Sequence, residues 1–194
     1  MNQFSAYLEM GFGHISDLKG YDHILFIIVL CAVYNYSDWR KVAILITAFT
    51  IGHSTTLALS ALKIVVGNSY WIEILIPVTI LFASIHNISF KESNSKTNHV
   101  YNYLLVLAFG FIHGLGFSSF FNALMGDSMN ITLPLFAFNI GLELGQLLIV
   151  ALYFTFQYLI NKIKKICQQN WTLFFSGAGA GVSIVMILER LASK

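Results

Sequence analysis

The chain has 194 residues, 57% of them hydrophobic and 10% charged, with 11 Lys and Arg against 9 Asp and Glu. A water-facing surface carries about 25% charged residues, so most of this surface meets lipid, and the chain reads as an all-α polytopic membrane protein. A net charge of +2 with no basic block excludes a surface that covers phosphates, and with it a nucleic-acid partner.

Residues 1–18 have no basic n-region and no small-residue cleavage site, so they read as a retained, short interfacial segment. They carry His14 and Asp17. Six apolar runs follow, near 19–36, 42–62, 69–90, 101–124, 132–160 and 171–191. Each approaches the ~20 residues that a helix needs to cross ~30 Å of hydrocarbon. The connectors are short, so a single transmembrane domain occupies 1–194 as a bundle of six helices, and any chemistry falls to the helices and their rims. Of the 11 Lys and Arg, seven follow the first, third and fifth runs (Arg40, Lys41, Lys91, Lys96, Lys162, Lys164, Lys165). Basic residues are retained on the cytoplasmic side, so both termini are expected outside. Cys31 and Cys167 lack CxxC spacing and define neither a disulfide framework nor a thiolate site. No GxxxxGK or GxGxxG pattern is present to cradle a nucleotide.

Ionisable residues inside a span cost at least ~2.5–3.5 kcal/mol on insertion scales, so each needs a partner or a task. The runs contain Asp22, His23, His53, Glu73, His86, His113 and Glu143. At 1.5 Å per residue, His53 and His113 lie roughly 17 Å up two parallel helices. Glu143 lies at a similar depth on a helix running the other way. These three are expected in one mid-membrane layer, with Asp22, His23 and Glu73 in a shallower layer toward the outer side. Asn139, Glu143 and Gln146 share one helical stripe, and Ser54 follows His53. Small residues flank the same points, in Gly52-His53, His113-Gly114 and Gly141-Leu142-Glu143-Leu144-Gly145, and they let helices approach closely. AFTIGH (48–53) and AFGFIH (108–113) share Ala, Phe and His at equal spacing, which supports equal depths for the two histidines. His86, beside Asn87, reads as a structural hydrogen-bonding group.

Imidazole and carboxylate donors without thiolate suit nickel, zinc, cobalt, copper(II) or non-haem iron. A transporter needs such ligands along a path that takes up and releases the ion. An intramembrane zinc hydrolase needs an open coordination position and a carboxylate near the metal-bound water. In that second reading Asp22 or Glu143 activates the water, Ser54 assists at the oxyanion, and the substrate is lipid-like. A metal-sensing or chaperone-like membrane subunit is the third.

The stretches GFGHISDLKGYDHILF (11–26), TAFTIGHSTTLALSAL (47–62), IEILIPVTI (72–80) with Asn87, FGFIHGLGFSSFF (109–121) and FNIGLELGQLL (138–148) together resemble the HupE/UreJ family of bacterial membrane proteins. The resemblance implies an accessory protein of nickel hydrogenase or urease systems, or a nickel or cobalt permease, in the bacterial inner (cytoplasmic) membrane. It implies metal ligands at His14, Asp22, His23, His53, His113 and Glu143. Seven residues separate His14 from Asp22, more than the family pattern has. Asp17, Ser54, Glu73, Asn139 and Gln146 are candidates to support those ligands. The expected ligand is a divalent transition metal, nickel first, then zinc or cobalt. Expected partners are that ion, membrane lipid, and a second copy of the chain or a metalloenzyme maturation partner.

Overall fold

A computed structural model describes residues 2–18, 20–89, 96–125 and 131–193. Among them the chain forms α1 (Gln3–Ser16), α2 (Asp22–Cys31), α3 (Trp39–Ala61), α4 (Ser69–Ser89), α5 (Lys96–Met125), α6 (Thr132–Ile163) and α7 (Gln168–Ala192), with a 3-10 turn at Tyr36–Asp38 and no strand. Five helices are long and apolar enough to cross a membrane: α3 with its preceding turn, α4, α5 from Val100, α6 and α7. They agree with five of the six expected spans. Most of the connectors expected at 91–99 and 125–130 fall outside the described residues.

The first expected span, 19–36, does not become a helix of that length. It yields α2, ten residues or about 15 Å, half the hydrocarbon thickness. The chain leaves the helix after Cys31, and carbonyls at and beyond its end receive side-chain donors. Asn87 Nδ2 donates to the Val29 carbonyl at 2.8 Å, Gln168 Nε2 and Thr172 Oγ1 to that of Ala32 at 2.9 Å each, and Gln157 Nε2 to that of Tyr34 at 3.3 Å. Away from water, backbone groups released from a helix need such partners. Here α4, α6 and α7 supply them, at the end of the bundle where α7 begins.

The N-terminal segment, expected at the interface, forms α1 and packs lengthwise on the first half of α6. A methyl group added to Gly11 would meet the Phe138 carbonyl, and one added to Gly141 would meet that of Leu8. The two backbones touch, and Ile15 is fully buried beside Gly145. α3 and α5 pair in the same way and run parallel. Gly52 faces the Leu107 carbonyl, Gly110 that of Phe49, and Gly114 that of His53. α4 and α7 pair antiparallel, through Asn87 and Ser176 toward one end and Glu73 and Arg190 toward the other. The aromatic core between these pairs centres on Phe26, Phe49 and Phe109 on one side and on Phe121 and Phe138 on the other.

Candidate metal centre

Four helices bring four imidazoles to the middle of the bundle. His14 lies in the last turn of α1, α2 begins with Asp22 and His23, and the glycine-lined contact of α3 with α5 sets the turn of His53 against that of His113. One nitrogen from each of His14, His23 and His53 lies within 4.8 Å of the others. The ring centroids of His14 and His23 are 4.7 Å apart, and that of His113 is 5.0 Å from His23. His113 stands 13 residues after Val100 and 11 before Leu124, near the centre of its span.

The environment is dry. His53 and His113 are fully buried and His23 is 5% exposed. Phe117 covers the His14 ring with centroids 3.9 Å apart, Phe138 stacks beside His53, and Phe26 and Phe49 flank His113. Against this apolar wall the unpartnered atoms are specific: Nε2 of His14, Nε2 of His23, both nitrogens of His53 and Nδ1 of His113.

Hydrogen bonds decide which of these nitrogens carry lone pairs. Asp22 Oδ1 accepts from the His23 backbone N–H at 2.8 Å and from His23 Nδ1 at 2.9 Å. A carboxylate only accepts, so Nδ1 holds the proton and Nε2 of a neutral ring presents its lone pair. Thr79 Oγ1 donates its single hydrogen to the Ile76 carbonyl at 2.6 Å, so its 3.1 Å contact with His113 Nε2 is one it accepts. His113 Nδ1 is then the free acceptor. Orientation of a ring through its far nitrogen is the usual support of a metal-binding histidine. The unpartnered nitrogens and the absence of thiolate among these donors fit a divalent transition metal.

The remaining expected residues lie elsewhere. Glu143 is half-buried and accepts from Thr47 Oγ1 at 2.8 Å, and Gln146 Oε1 accepts from Thr50 Oγ1 at 2.8 Å. Both belong to a polar seam between α3 and α6. The expected layer of His53, His113 and Glu143 is therefore replaced by one of His14, His23 and His53 with His113 behind. Equal depth along two helices does not ensure that side chains face one another, and Glu143 sits on the stripe turned to Thr47. Of the expected shallower layer, Asp22 and His23 join the histidines, while Glu73 pairs with Arg190 at 3.2 Å and accepts from Ser69 Oγ at 3.1 Å. Ser54 Oγ donates to the Thr50 carbonyl at 2.6 Å, Asn139 Oδ1 is buried without a partner, and Asp17 closes the end of α1. His14, whose spacing departs from the family pattern, is brought to the centre of the group. Sequence reasoning passed over Thr79, although a hydroxyl in the apolar run 72–80 is a signal of a buried polar partner.

Fold and site define a class, the polytopic all-helical membrane protein with a buried polyhistidine centre. Within that class the chain belongs to the HupE/UreJ family, matched as HupE / UreJ protein over residues 1–190. That family is linked to nickel and cobalt handling. No curated protein and no solved structure matches the chain.

Proposed function

We propose that this protein takes up a divalent transition metal at His14, His23 and His53 and passes it through the inner membrane as a permease, with nickel as the favoured cargo and cobalt next. The observation that carries the reading is the convergence of three imidazoles, His23 and His53 buried and His14 partly buried, with a nitrogen on each that has no protein partner. Each such atom left unsatisfied costs about 1–3 kcal/mol, and a cation satisfies all of them together. Imidazole donors with a carboxylate behind them suit Ni(II), Co(II) and Zn(II) alike. The nickel preference follows the family. Asp22 aims His23 and offsets part of the ion's charge in a low-dielectric site. His113, next to His23 with its Nδ1 free, is the next station. The distribution of Lys and Arg favours both termini outside, with uptake inward. The chain carries no nucleotide-binding pattern, so the driving force is the membrane potential, a proton gradient or a partner.

Transport is favoured over zinc hydrolysis by the hydrogen bonds of the residues hydrolysis would use. Of the two candidate bases, Asp22 is engaged by His23 and Glu143 by Thr47, and the Ser54 hydroxyl donates to a backbone carbonyl of its own helix. The test is nickel titration of the detergent-purified protein by calorimetry, beside nickel accumulation in cells. One ion per chain is expected, and His53→Ala abolishes both signals while the protein level holds. Accumulation unchanged in that variant refutes the proposal, and a stoichiometric zinc that survives chelators moves the reading to the hydrolase.

A further inference from the structure

A cleft of about 300 Å³ lies between the start of α2 and the end of α7, lined by Gly20, Tyr21, Asp22, Met186, Glu189, Arg190 and Ser193. Asp22 belongs to two places at once. Its carboxylate holds His23 at 2.9 Å, and it forms part of the cleft wall, with a side-chain exposure of 21% against 6% for His23. Asp22 is thus the residue of the histidine centre that lines the cleft. Carboxylates gather around the same opening, Glu189 in the lining and Glu73 just across from Arg190. The guanidinium of Arg190 lies among them, tethered to Glu73 at 3.2 Å, and Ser69 holds the other Glu73 oxygen at 3.1 Å.

We infer that divalent cations reach His23 through this cleft, and that Arg190, tethered to Glu73, is the positive charge that limits their admission. This rests on the metal-binding reading of the histidines. A cleft lined by one sign of charge raises the local concentration and on-rate of an opposite ion, by 10 to 10³ in favourable cases. A guanidinium in the same lining works against that attraction, and its bond to Glu73 also removes one carboxylate from the field. Arg190 and Glu73 are both about half exposed in their side chains, and an exposed pair contributes little to stability. The pair can therefore open at little cost to the fold. Because the cleft is a route and not the site, changes in it alter rates of arrival and departure together and leave affinity nearly constant.

The experiment uses full-length protein in lipid nanodiscs, nickel chloride as the probe, and stopped-flow competition against a chromophoric chelator. Ser193→Cys is made together with Cys167→Ser, since Cys167 is the exposed native thiol and Cys31 is buried. A cationic methanethiosulfonate on Cys at 193 is expected to slow nickel association at least tenfold at low salt, with equilibrium affinity within threefold. Arg190→Gln is expected to accelerate association at least threefold, and added salt should erase much of the difference. Protein that binds nickel at the histidines but whose association rate stays within twofold after both changes overturns the cleft route and leaves the metal site standing. Failure of the unmodified protein to bind nickel overturns the metal-site reading itself, and the route with it.

Discussion

Asp22→Asn tests the support of the histidine centre at a single atom. Oδ1 of Asp22 accepts two hydrogen bonds from His23, one from its backbone N–H and one from its ring. Asparagine keeps the size and one acceptor oxygen but removes the charge. A hydrogen bond to a charged group is worth about 1.5–3 kcal/mol and a neutral one about 0.5–1.5, so each bond weakens by roughly 1 kcal/mol. The backbone bond still anchors the side chain locally, and the ring bond takes the functional loss. Removal of the partner behind a metal-bound imidazole costs 10- to 100-fold in affinity, or about 1.4–2.7 kcal/mol. Calorimetric nickel titration of Asp22→Asn should fall in that window, with circular dichroism and gel filtration unchanged. Asp22→Ala, which loses both bonds, should fall at its upper end or beyond. An Asp22→Asn affinity within threefold of the unmodified protein, less than about 0.7 kcal/mol, would mean that the carboxylate does not orient a ligand, and the site argued above would be wrong.

Gly114→Ala puts a methyl group against the His53 carbonyl and the Thr56 hydroxyl, so α3 and α5 must separate. Overpacking of this kind costs typically 1–3 kcal/mol. A lower unfolding temperature in detergent and weakened nickel binding should appear together, and a variant as stable as the parent would contradict the close approach. Thr79→Val removes the hydroxyl that receives His113 Nε2 while keeping the volume, so it should slow nickel transport in vesicles while first-site binding stays within threefold. Glu143→Gln should keep equilibrium nickel affinity within threefold by calorimetry, because its partner is Thr47 and not the histidine group. A loss of tenfold or more would return Glu143 to the ligand set.

The sequence by itself determined the class of this protein and most of its inventory. Composition alone places the chain in lipid, because 10% charged residues cannot cover a water-facing surface. Apolar runs of spanning length located five helices to within a few residues, because a helix in hydrocarbon must satisfy its own backbone. The cost of burying ionisable groups also marked His23, His53 and His113 as residues with a task, since that cost is local and needs no knowledge of neighbours. Tertiary structure alone decided how those residues meet. Depth along a helix is legible from residue counts, but the direction a side chain faces depends on how helices rotate and cross, so Glu143 went to Thr47 while His14 came to the centre. The half-length of α2 was likewise invisible, because the side chains that donate to the carbonyls at and beyond its end, Asn87, Gln157, Gln168 and Thr172, lie more than 50 residues away along the chain. The tautomers of His23 and His113 follow from single hydrogen bonds to Asp22 and Thr79, and the second of these exists only once α4 packs against α5.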